Sequence, residues 1–137
     1  MYIEKTDIEK GMYPEVLAII SRADINIETA IAEAIEEVDS YLSVRYDTAS
    51  EFAKTGSARN NLVVKMVRSI ALYNIYNISN PVNMPESRSN DYKATISQLK
   101  DIQAERAQIK GLERLTDTDG SSNYLKFGGN APRKNHY

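Results

Sequence analysis

Apolar residues recur at helical spacing in three stretches of the chain. In the first, Ile27, Ile31, Ile35, Val38, Leu42 and Arg45 fall on one stripe, with Ala34 and Tyr41 beside it. Glu28, Glu33, Glu36, Glu37 and Asp39 lie mostly off that stripe. The pattern predicts an amphipathic helix of about five turns, capped by Asp24 or Asn26 and ending near Tyr46 and Asp47. In the second stretch, RNNLVVKMVRSIALYNIYNIS, apolar residues run nearly all the way round the helical wheel. A helix that is apolar all round is a central one, and Lys65 and Arg68 mark it as packed among protein helices and not in lipid. In the third, Tyr92, Ile96, Leu99, Ile102, Arg106 and Ile109 form another stripe. It predicts a helix capped by Asn90, with Asp91 in its first turn and Gly111 as its stop, although LERL can add a turn.

Shorter elements precede these. Thr6 is suited to cap a first short helix, with Asp7 and Glu9 in its positive-end turn. The stretch PEVLAIIS predicts a second, with Pro14 at its first position. From Asp47 to Ser57 the pattern reads as irregular, and Pro81 and Pro85 break the chain before the last helix. After Asp117 the sequence turns polar and glycine-rich: DTDGSSNYLKFGGNAPRKNHY. The fold class that follows is all-α: a small bundle of three long helices with short N-terminal helices, spanning residues 1–116. An extended C-terminal segment, residues 117–137, follows it.

Composition narrows the chemistry. The chain has 137 residues, 42% of them hydrophobic and 26% charged, which suits one soluble domain. It has no cysteine, so thiol nucleophiles and thiolate metal sites are excluded. Its one histidine, His136, stands next to the last residue, a poor place to hold a catalytic base. Carboxylates are plentiful on the first long helix, but the central helix offers none to converge with them on a metal. DTDG opens like a calcium loop, yet the twelfth position counted from Asp117 is Gly128, where a glutamate is needed. No phosphate-binding glycine motif is present. The acidic, polar start is no secretory signal, and no apolar run is long enough to span a membrane. These absences predict a non-catalytic chain without cofactor or metal.

Charge and tyrosine content point to interaction instead. Residues 1–56 hold twelve acids and five bases, net −7, while residues 57–137 hold seven acids and twelve bases, net +5. Such polarity marks a molecule whose ends meet different partners or whose copies join head to tail; it also arises when helix faces simply differ in charge. Nine tyrosines against two phenylalanines suit half-buried positions, either around the domain's own core or at interfaces.

The segments AIEEVDSYLSVRY, NNLVVKMVRSIALYNIY and DYKATISQLKDI, in this order, resemble the head–tail connector proteins of tailed phages. The likeness is to the Mu-type prophage connectors, relatives of the head-completion adaptors, and runs through most of the chain. It is carried by a D-x-Y-L-x-x-R-Y motif (Asp39, Tyr41, Leu42, Arg45, Tyr46), by an apolar helix ending in Tyr73 or Tyr76, and by Tyr92 opening the next helix. The chain departs from the family pattern at IQAERAQIKGLERL, which is expected to prolong the last helix. The resemblance implies a homo-oligomeric ring beneath the portal protein. The ring would extend the DNA channel and offer a platform to stopper or tail-completion proteins. It implies a place at the head–tail junction of the virion, reached from the host cytoplasm during assembly. By analogy the tail is a portal-docking arm, with Tyr124, Lys126, Phe127, Arg133, Lys134 and Tyr137 as its contacts and Gly128 and Gly129 allowing close approach. DNA would pass through without being specifically bound, since a cation-lined channel adds affinity at every phosphate. Glu28, Glu33, Glu36 and Glu37 are therefore expected to face the channel or the neighbouring subunit, with open solvent as the other possibility. A different reading is a small helical DNA-binding or regulatory module of a prophage, marked by salt-dependent DNA affinity without portal affinity.

Overall fold

The computed structural model describes residues 1–21, 24–79, 82 and 84–115. The expected docking arm, residues 117–137, lies outside the described residues. Among the described residues, six α-helices follow one another: α1 (Lys5–Glu9), α2 (Pro14–Ser21), α3 (Asp24–Leu42), α4 (Thr48–Phe52), α5 (Asn61–Ser79) and α6 (Glu86–Gln103). A 3-10 turn, Gly56–Ala58, stands between α4 and α5. Among the described residues there is no strand, only an isolated antiparallel bridge between Tyr46 and Arg114. The all-α bundle with three long helices is therefore the observed architecture.

The core lies where the three stripes meet. α5 is central, with its most extensive packing against α3 and the next against α6. α3 and α5 run antiparallel: the Asn74 side chain donates to the Ala30 carbonyl, while Asn60 sits beside Glu51 at the opposite end. Ile27, Ile31, Val38 and Leu42 of α3 meet Val63, Met66, Val67, Ile70 and Ile75 of α5, and Leu99 and Ile102 of α6 close the third side. Ala30, Ala34 and Ala71 are fully buried, and their small side chains let the helix axes approach. Each buried branched or aromatic side chain stabilises the fold by roughly 1.5–3 kcal/mol relative to exposure.

The ends of the helices differ from the sequence expectation. α1 starts at Lys5 with Glu4 as its N-cap, and Thr6 lies inside the helix. The Asp7 carboxylate takes the Glu4 N–H at 3.0 Å, so the cap is made from inside the turn. Asn26 is within α3, which stops at Leu42 and not near Tyr46. Tyr46 turns out of the helical path, with its N–H returned to the Leu42 carbonyl. The stretch expected to be irregular holds α4, capped by Asp47, whose side chain accepts the Ser50 N–H at 3.1 Å. α6 begins at Glu86, after Pro85 as N-cap, so Asn90 is an interior residue.

The largest correction concerns the end of α6. It stops at Gln103, eight residues before Gly111. The Glu105 N–H bonds the Ile102 carbonyl and the Arg106 N–H bonds the Asp101 carbonyl, a Schellman closure. The left-handed position that glycine usually fills is here Glu105, with φ 64°. Residues 104–115 then run back over the bundle, and Ile109 is buried in the core although it is not helical.

Candidate functional site

Two polar clasps fasten the remaining chain to the helices. The first joins the N-terminal residues to the α4–α5 connection. Glu51 is 1% exposed, yet its carboxylate is satisfied: it accepts from the Tyr2 hydroxyl and the Asn60 N–H, each at 2.6 Å, and from Lys54 Nζ at 2.8 Å. Burial pushes its pKa up, but the bonds from Lys54, Tyr2 and Asn60 outweigh it and hold the group below the usual carboxylate range. Burial, and then the bond to Glu51, raises the Tyr2 phenol well above its ordinary value. Beside it, Arg59 grips Asp7 through two bonds, 2.8 and 3.1 Å, and also donates to the carbonyls of Tyr2 and Gly56. The Arg59 bonds lead in lowering Asp7 to about 2, against the burial that opposes them. Phe52 packs edge-on against the Tyr2 ring at 5.0 Å.

The second clasp is built on the D-x-Y-L-x-x-R-Y motif. Leu42 is buried in the core, and Tyr41 packs half-buried against it. Arg45 Nε donates to the Gln103 carbonyl at the end of α6 and stands 3.4 Å from Glu105. Arg114 reaches the same Glu105 oxygen at 2.8 Å, and its guanidinium lies over the Tyr46 ring. The buried Tyr46 hydroxyl accepts the Ile109 N–H at 3.1 Å. Backbone bonds from Asp47 to Glu113 and from Leu115 to Arg45 complete the pairing. The motif thus fixes the returning segment up to Leu115, from which residues 116–137 continue. Asp39, its first member, has one buried carboxylate oxygen with no hydrogen-bond partner among the described residues.

The other tyrosines of the resemblance sort into two places. Tyr73 and Tyr92 stack at 4.0 Å across α5 and α6, and the Tyr92 hydroxyl donates to Glu37 at 2.7 Å. Burial, then that bond, raises the Tyr92 phenol above its ordinary value. Tyr76 is buried and lines an open groove with Tyr13, Pro14 and Pro85.

The four acids singled out on α3 do not form one site. At 100° per residue, Glu28 and Glu37 lie on opposite flanks of the helix, with Glu33 and Glu36 between them. Glu28, Glu33 and Glu36 are exposed, whereas Glu37 is held by Tyr92 in the α3–α6 seam. The arm residues Tyr124, Lys126, Phe127, Gly128, Gly129, Arg133, Lys134 and Tyr137 lie outside the described residues.

Sequence reasoning missed the first clasp altogether. Its members are spread over residues 2–60, and only Asp47, followed three residues later by the N–H that it caps, signalled the short helix that positions Glu51. Glu105 and Arg114 carry no such signal, because the sequence pattern places both in a prolonged last helix. Among the described residues no cluster of three or more acids or histidines is arranged to hold a metal, and no helix is long and apolar enough to cross a membrane.

No curated protein shows a significant match to this sequence. The family model described as "Bacteriophage Mu, Gp36" matches residues 2–125. That span takes in both clasps and every helix from α1 to α6, and the chain belongs to this phage protein family.

Proposed function

We propose that this chain is a structural, non-catalytic adaptor that joins the portal vertex of a tailed-phage head to the tail. The observation that carries the reading is the second clasp. The motif on which the resemblance to connector proteins rests fixes the backbone at Leu115, nine residues before the aromatic and basic segment that opens at Tyr124. A rigid root with anchors such as Tyr124, Phe127 and Tyr137 beyond it is what a docking arm requires.

In this account the arm meets the portal protein, with Arg133 and Lys134 answering acidic groups and main-chain pairing at NYLKF. Copies form a homo-oligomeric ring, which receives a stopper or tail-completion protein on its far side. Glu28, Glu33 and Glu36 turn toward the channel or the neighbouring copy and keep the passing DNA from being gripped. Glu37 has an internal task, tying α3 to α6. The chain needs no cofactor, works at the head–tail junction and is recruited from the host cytoplasm during assembly.

The test is retention on portal-bearing heads that lack tails, comparing the full chain with one ending after Asp119, both checked for helicity. Retention of the full chain alone supports adaptor and arm together. Equal retention of both keeps the adaptor and discards the arm. If neither is retained and the folded chain binds DNA with a steep salt dependence, the DNA-binding reading replaces this one.

A further inference from the structure

A groove of about 290 Å³ lies between the N-terminal residues and the first turns of α3. Its floor is apolar, made by Ile3, Ile27 and Ile31, and Met1, 61% exposed, forms a wall. Glu4, Asp24 and Glu28 stand on the rim. Lys5 is taken up by Asp24 at 2.9 Å, and Glu4 and Glu28 make no ion pair among the described residues. The groove therefore combines an apolar floor with a rim on which three acids outnumber one lysine.

One segment of this chain has the complementary chemistry. Residues 124–137 carry Lys126, Arg133 and Lys134 and no acid, interleaved with Tyr124, Leu125, Phe127 and Tyr137. Residues 116–123, TDTDGSSN, hold no large apolar side chain and read as a spacer. The lengths also agree. Leu115 is tied to Arg45, just past the end of α3, and Glu28 lies about 21 Å back from Leu42 along α3 at 1.5 Å per residue. The eight spacer residues span at most about 27 Å when extended. A spacer of that length can bring Tyr124 to the near rim.

We propose that, before assembly, the C-terminal segment 124–137 is parked in this groove of its own chain, shielding its aromatic anchors until a partner displaces it. The proposal rests on the reading of that segment as a docking arm. Parking holds back premature association, because the partner must compete with a tethered segment at high effective concentration.

The absence of cysteine makes the test clean. In the full chain, the pair Glu28→Cys with Gly128→Cys is oxidised mildly beside the control pair Ser40→Cys with Gly128→Cys. Glu28 and Ser40 are both exposed on α3, but Ser40 is more than three turns from Glu28 and more than two from Ile31, the last groove residue on α3. The groove pair is expected to form an intramolecular disulfide at least tenfold faster than the control, at a rate independent of protein concentration. Equal rates for the two pairs overturn the proposal. So does a disulfide that forms mainly between copies, which makes the groove a seat for a neighbour. The cross-linked chain is then offered to portal-bearing heads before and after reduction. Binding that appears only on reduction supports parking as a restraint; equal binding in both states overturns the restraint. Failure to bind in either state, with fast cross-linking, removes the portal reading while the parked segment stands.

Discussion

Tyr2 and Tyr46 are both buried tyrosines whose hydroxyls pin a non-helical segment to the bundle, but one gives its proton and the other receives one. Tyr2 donates to the buried Glu51 carboxylate, next to the Asp7–Arg59 pair. Tyr46 accepts a backbone N–H from Ile109, and the carboxylate beside it, Glu105, lies nearer the surface than Asp7 or Glu51, although Arg45 is as buried as Arg59. The first clasp is a network of ion pairs whose carboxylates are nearly dry, where losing one member weakens the hold on another. The second is a backbone fastening with ion pairs outside it, where losing one member loosens the segment and leaves the core intact. The N-terminal clasp therefore serves folding, and the Tyr46 clasp fixes where the backbone stands at Leu115.

The comparison breaks most sharply at Arg59. Arg59→Met leaves the buried Asp7 with only the Glu4 N–H and Lys10 at 3.5 Å, and is expected to cost about 3 kcal/mol of unfolding free energy, measured by urea denaturation. Acid separates the clasps next. Asp7 titrates at about 2 in the folded chain against 3.8 ordinarily. Because the folded value is the lower one, its contribution is complete above about pH 4 and is lost as pH falls toward 2, amounting to about 2 kcal/mol. In Asp7→Asn that part of the pH dependence should vanish, leaving a lower but flatter stability curve between pH 4 and 2.

Smaller effects are expected at the other clasp. Tyr46→Phe leaves the Ile109 N–H without its acceptor and should cost about 1–2 kcal/mol. Hydrogen exchange should accelerate at Ile109 and along 104–115, while the amides of α5 keep their protection; equal acceleration in α5 would show that the clasp supports the whole fold. Smallest of all is Glu105→Gly, in which relief at φ 64° offsets the lost ion pairs with Arg45 and Arg114. Glu105→Ala loses the pairs without that relief and should be the less stable of the two by about 1 kcal/mol in thermal unfolding.

The long helices were legible because their apolar residues keep the 3.6-residue period. Ile27, Ile31, Val38 and Leu42 are buried as their spacing requires, and α5 is the central helix that its all-round apolar character demands. Periodicity failed where burial continues without helix. Ile109 stays in phase with Ile102 and is buried, but it comes back to the core through a return loop and not along α6. The cause is a left-handed glutamate, which carries no sequence mark because its side chain is held by arginines 60 and 9 positions away. α4 was missed because five residues are too few to show a period. The motif Asp39–Tyr46 is recognisable in the sequence as a resemblance, but its physical task is not, since that task is defined by contacts with residues 103–115.

The central claim is that this bundle is an adaptor seated on the portal, and imaging of the vertex tests it most directly. Tailless, portal-bearing heads would be mixed with the full chain and examined by electron cryomicroscopy. The account predicts a helical ring beneath the portal, with residues 124–137 reaching onto the portal and Glu28, Glu33 and Glu36 facing the channel or the adjacent copy. A vertex with no added density, under conditions where the chain is folded and in excess, would contradict it.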